Sequence, residues 1–139
     1  MKIKILIIVL FSIIVSCKQA VKETDIENLN GYWEIEKVIL PDGEDKEYKA
    51  NETFDFFELK DKSGIRKKGM QQFDGTFLTN DVSENFVIEF NEGKSYINYQ
   101  TDFAKWKEEI LLLNKEKLVV KNKNDLEYHY KRPTFFTKK

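Results

Sequence analysis

The sequence predicts an all-β domain, an antiparallel up-and-down meander of about eight to ten short strands closing into a small barrel. Three observations predict it. Apolar and polar residues alternate with period two through most of the chain beyond residue 30. Turn-forming Asn, Asp, Gly and Pro recur at short intervals between those runs. Closure follows because an open meander would leave edges free to pair between molecules, and 14% aromatic residues supply material for a core. At 139 residues there is room for one domain.

The elements follow in chain order. Lys2 and Lys4 precede an apolar run from Ile5 to Val15 broken only by Ser12, the pattern of an export signal, which assigns residues 1–16. A membrane-spanning helix would need about 20 apolar residues, and Lys18 and Gln19 end this run. Residues 17–28 read as a polar tether, with a helical turn over Asp25-Ile26-Glu27-Asn28-Leu29 capped by Asp25. The domain proper is residues 29–133, and 134–139 form a basic tail.

Within the domain, Trp33, Ile35 and Ile39 alternate with Glu34 and Glu36, and Pro41-Asp42-Gly43 turns the chain. Strands are expected over 54–59, 65–68 and 76–79, with turns at Lys62-Ser63-Gly64, Asp74-Gly75 and Asn80-Asp81. Phe86, Ile88 and Phe90 alternate with Val87 and Glu89 before the turn Asn91-Glu92-Gly93. A strand over 95–101 follows. In 103–113 the spacing of Phe103, Trp106, Ile110 and Leu113 suits a helix, while Trp106, Glu108, Ile110 and Leu112 alternate as a strand; strand is the reading that fits a meander. Lys117 to Val120 and the alternating Leu126, Tyr128 and Tyr130 complete the set. Pro41 and Pro133 fall at strand ends, where a missing N–H costs no ladder bond.

Composition excludes several functions. One cysteine and one histidine permit neither an internal disulfide nor a Cys/His metal site, and no cofactor is expected. Loss of residues 1–16 removes two of 23 basic residues, leaving 21 against 24 acidic ones, a net of about −3 that argues against nucleic-acid binding. Arg66-Lys67-Lys68 and the basic residues Lys131, Arg132, Lys138 and Lys139 read as solvated strand faces and a frayed end. No catalytic set is found: His129 points outward, no Gly-x-Ser-x-Gly elbow or phosphate loop occurs, and Glu108-Glu109 and Asp42 with Asp45 read as solvated faces and turn chemistry. Asn51-Glu52-Thr53 fits the N-glycosylation pattern and is set aside, because an export signal of the kind described next is bacterial.

Two resemblances sharpen the reading. Ile14-Val15-Ser16-Cys17 resembles the lipobox of bacterial lipoproteins. This implies cleavage before Cys17, acylation of its sulfur and new amino terminus, and a lipid bilayer as partner. Lys18 after the cysteine favours the outer membrane of the cell envelope, by analogy with other lipoproteins. Each buried methylene contributes about 0.8 kcal/mol, so two or three chains anchor stably.

Gly31-Tyr32-Trp33 matches the Gly-x-Trp signature of the lipocalin-like superfamily, Thr101-Asp102-Phe103 is similar to its Thr-Asp-Tyr signature, and Arg132 matches the arginine ending its last strand. The layout resembles short lipocalin-like lipoproteins of Gram-negative bacteria. The resemblance implies that Gly31, Trp33 and Arg132 close one barrel end, the arginine lying over the tryptophan. Inward candidates are Trp33, Phe54, Phe56, Phe86, Phe90, Tyr99, Trp106, Tyr128 and Tyr130. Of these, Trp33, Phe54, Phe86, Phe90, Tyr99 and Tyr128 would line a site for a small apolar or amphipathic ligand. The alternative is a non-enzymatic interaction lipoprotein whose barrel is filled by its own side chains. Phe103 in place of tyrosine, and a domain of about 105 residues, depart from the family pattern.

Overall fold

Period-two alternation becomes nine strands in a computed structural model, which describes residues 20–49 and 51–134. They are β1 (Gly31–Ile39), β2 (Asp45–Glu47), β3 (Phe54–Lys60), β4 (Ser63–Gln71), β5 (Phe77–Asn91), β6 (Lys94–Gln100), β7 (Lys105–Leu113), β8 (Lys117–Lys121) and β9 (Glu127–Lys131). A 3-10 helix, Glu23–Leu29, precedes them. Strands β1 and β3 to β9 pair antiparallel in chain order, and β1 pairs with β9 to close an eight-stranded barrel. Short β2 lies against the end of β1 as an extra strand.

Turn chemistry sets the register. Glu92 and Gly93 both have positive φ, 51° and 75°, the conformation of a two-residue type I′ hairpin, which brings Asn91 opposite Lys94. At closure Ile35 lies opposite Tyr130 and Val38 opposite Tyr128, with a bulge between Ile35 and Lys37. The inner faces then form one core of Leu29, Trp33, Phe57, Phe86, Ile88, Ile97, Tyr99, Ile110, Leu113, Leu118 and Val120. Each such side chain withdrawn from water contributes about 1.5–3 kcal/mol.

The structure alters four expectations. The strand expected over 103–113 forms as β7, but a bulge between Ile110 and Leu112 breaks its alternation, so that Leu113 enters the core and Leu112 faces solvent. Asn80-Asp81 does not end a strand: β5 runs through it, and the extra residues 80–82 bulge opposite Lys68. Helix capping moves upstream to Lys22, whose backbone N–H donates to the Asp25 carboxylate at 3.2 Å. Ile26 and Leu29 are buried and Val21 packs against the core, so packed structure begins inside the segment read as a tether.

The sheet also carries a second aromatic cluster on its outer face. Trp33 faces in opposite Asp55, so Tyr32, Phe56 and Phe54 face out. The Tyr32 ring lies 4.8 Å from Phe56 and 4.5 Å from Phe77. Phe54 is buried, yet on this outer side and outside the barrel core.

Candidate functional site

The two ends of the barrel differ in chemistry. One end, the floor, is sealed where β1 begins and β9 ends. The Arg132 guanidinium lies 3.7 Å from the Trp33 ring centroid. Its three nitrogens donate to backbone carbonyls of Lys115 at 3.0 Å, Tyr32 at 3.0 Å and Asn28 at 2.6 Å. Trp33 is fully buried, and its indole N–H donates to the Leu29 carbonyl at 2.8 Å, which fixes the helix across the floor. Gly31 is required here: its φ is +104°, and a Cβ would lie 3.2 Å from Arg132 Nη1.

Toward the other end, the mouth, the inner faces turn polar. Arg66 on β4 stacks over Tyr99, its Cζ 4.3 Å from the ring centroid, with Trp106 and Phe57 each at 6.0 Å. The guanidinium pairs with Glu84 on β5 and donates to the Tyr99 hydroxyl at 3.2 Å. Tyr99 and Trp106 stack with centroids 5.0 Å apart. Asp55, almost fully buried, pairs with Lys68. Glu108, on the same face of β7 as Trp106 and Ile110, completes the group.

These neighbours act on one another. Burial opposes the charge on Arg66, but Tyr99, Glu84 and Asp55 outweigh it and its pKa is raised. Burial pushes the Glu108 carboxyl above its ordinary range; Arg66 opposes this, Asp55 and Glu84 add to it, and Lys68 opposes it. Burial likewise raises the hydroxyls of Tyr99 and Tyr130, keeping them protonated. Among the described residues no three His, Cys, Asp or Glu side chains are grouped so as to hold a metal ion.

The candidate residues therefore separate. Trp33, Gly31 and Arg132 meet at the floor. Phe86 and Tyr99 are inside, edge to face at 6.0 Å, and Phe90, Tyr128, Trp106 and Tyr130 pack against the core while partly exposed. Phe54 and Phe56 stand on the opposite face, because β3 places Asp55 and Phe57 inward, so neither lines the interior. Cys17 and the 1–16 signal lie outside the described residues, as do residues 135–139. Arg66, Lys68 and Glu108, expected on solvated faces, point inward instead, since only Lys67 of the basic triplet shares the outer parity of Phe56. The missed signal was Glu108 alternating in step with Trp106 and Ile110. Thr101-Asp102-Phe103 forms the β6–β7 turn at the mouth, where the Thr101 hydroxyl accepts the Phe103 and Ala104 N–H groups at 3.2 and 3.1 Å. Phe103 projects fully into solvent.

The surface also carries clefts, including one of about 410 Å³ over β5, β6 and β7 and one of about 550 Å³ between the Asp81–Asn85 and Thr101–Phe103 segments. The first lies over outward-facing Val87, Asn98 and Lys107, so it is a furrow between side-chain rows on the outer face and not a chamber in the barrel.

Comparison with known proteins gives one family. The model of the lipocalin-like domain matches residues 29–120. No curated protein matches the sequence. Among solved structures, a lipocalin-like protein from Bacteroides uniformis is similar over 76% of this chain and 99% of its own, at 11% identity and a TM-score of 0.48. An uncharacterized protein from Bacteroides eggerthii gives the same values. Lobster apocrustacyanin A1 is similar over 81% of this chain and 64% of its own, at 12% identity and a TM-score of 0.46.

Proposed function

The chain belongs to the lipocalin-like domain family, and from that premise we propose that it is a lipid-anchored binding protein of the bacterial envelope that takes a small ligand at the barrel mouth. The fold commonly holds small hydrophobic molecules, and its members are in general binding proteins and not enzymes. The observation that carries the reading is the asymmetry of the barrel. The floor half is sealed by Trp33, Arg132 and Leu29, whereas the mouth half presents partly exposed Trp106, Tyr128 and Tyr130 beside Arg66, Glu84 and Glu108. A few oriented polar groups among aromatic walls are what a small amphipathic ligand needs.

In this reading residues 1–16 are removed and Cys17 is acylated in the outer membrane. Packed structure begins at Val21, four residues beyond Cys17, so the lipid lies within at most about 14 Å of chain from the domain. The helix and floor face the bilayer and the mouth faces away. A second reading, a barrel filled by its own side chains that acts through its surface, is favoured by the dense floor half, where Leu29, Trp33 and Ile97 are fully buried.

The test uses the full chain carrying Cys17→Ser, titrated with short soluble amphiphiles while tryptophan emission is read. Trp106 should respond and Trp33, beneath Arg132, should not, so the response should survive Trp33→Phe and vanish in Trp106→Phe. No response to any amphiphile, with unchanged thermal stability, would transfer the function to the filled-barrel reading.

A further inference from the structure

The charges inside the barrel do not pair off. Among the described residues the inner faces toward the mouth carry two cations, Arg66 and Lys68, and three carboxylates, Asp55, Glu84 and Glu108. Arg66 is taken by Glu84 and the Tyr99 hydroxyl, and Lys68 is taken by Asp55. Glu108 is left over. It is mostly buried and makes neither a hydrogen bond nor an ion pair with the described residues, while the groups around it are largely acidic or neutral: Asp55, Glu84, Tyr99 and Tyr130, against Arg66 and Lys68 that are already engaged. A carboxylate withdrawn from water without a counter-charge is costly, and a cation brought to it recovers that cost.

The walls match the same ligand. Trp106 and Glu108 share the inner face of β7, and Tyr130, paired with the buried Leu118, faces the same interior from β9. Indole and phenol faces attract cations by about 0.5–2 kcal/mol, and more as water is excluded. An anion would meet the opposite conditions, since the guanidinium of Arg66 is saturated on one ring face by Tyr99 and at its edge by Glu84. A bare metal ion is not matched, because the three carboxylates do not converge.

We propose that the mouth binds a small organic cation, an alkyl- or aralkylammonium ion whose charged head seats on the Glu108 carboxylate between the Trp106 and Tyr130 rings and whose apolar tail lies outward along the rim. The inference rests on the mouth being the binding end and specifies what that end takes.

Three probes of equal tail length separate the chemistries: hexylammonium, hexanoate and hexanol, titrated by calorimetry into the full chain carrying Cys17→Ser. Hexylammonium should bind at least about tenfold more tightly than either competitor, and Glu108→Gln, which keeps shape and removes charge, should weaken it by about tenfold or more. Trp106→Leu should weaken it as well, which guards against a Glu108→Gln result caused by misfolding. If hexanoate or hexanol binds as tightly as hexylammonium, or Glu108→Gln leaves hexylammonium affinity unchanged, the cation site is overturned while a ligand-binding mouth survives. If none of the three binds, both readings fall together.

Discussion

Glu108 sits among six groups that carry or can carry charge, and its behaviour with pH follows from them. Burial raises its pKa above the ordinary 4.5 more strongly than Arg66 lowers it. The folded chain therefore holds this proton more tightly than the unfolded chain, and the stability so gained is complete below about pH 4.5 and lost as pH climbs through the raised value. Glu108→Gln removes this dependence. Urea midpoints of the variant and the parent should lie close at about pH 4, and the variant should be the more stable at about pH 8; a gap that narrows with rising pH would contradict the assignment. Arg132 illustrates the opposite case, a residue whose worth lies in what it satisfies. Arg132→Ala removes the stack on Trp33 and leaves three floor carbonyls without their donors, so a loss of about 2–4 kcal/mol is expected in denaturant unfolding. A midpoint shift near zero would mean that water replaces the guanidinium at no cost.

At the level of the strands, β3 and β4 depend on Gly64. A Cβ built there would lie 2.1 Å from the Glu58 carbonyl oxygen and 2.8 Å from the Phe86 ring, and both neighbours are inside the sheet. Gly64→Ala should cost about 1–3 kcal/mol and loosen amide protection in the β3–β4 hairpin before that of β6–β8; uniform loss of protection across the barrel would refute a local origin. In the sequence Gly64 reads as part of a turn, Lys62-Ser63-Gly64, whereas the turn is Asp61 and Lys62 and Gly64 lies in β4. Such errors share a cause. Alternation is a local signal, so the strands around Trp33, Phe86 and Tyr128 could be read directly. Parity relative to the barrel is not local: it is decided for β3 by the pairing of Asp55 with Trp33, and a single bulge reverses it between Ile110 and Leu113. Hydrophobicity alone therefore puts Phe54 on the wrong face, and charge alone does the same for Arg66 and Glu108. The partners that make those charges tolerable inside, Glu84 for one, arrive from another strand 18 residues away.

For the molecule as a whole, the floor and the helix share one end, and the exposed Phe73 and Phe103 project from the β4–β5 and β6–β7 connections at the other. Replacing Cys17 with Ser should release the chain from the membrane fraction or leave it unprocessed. Continued membrane association after removal of the signal by another peptidase would show that something besides acyl chains holds it. The seal at the floor has a temporal side too. Arg132 grips the Asn28 carbonyl across 104 residues of chain, so a chain emerging from its amino end cannot complete the floor until Arg132 itself has appeared. Up to that moment β1 and β8 are bare edges, and Trp33 has nothing above it. A nonsense codon a few residues upstream of Arg132 would thus yield an open sheet with two adhesive margins, a substrate for chaperones and proteases, and not a slightly weakened barrel.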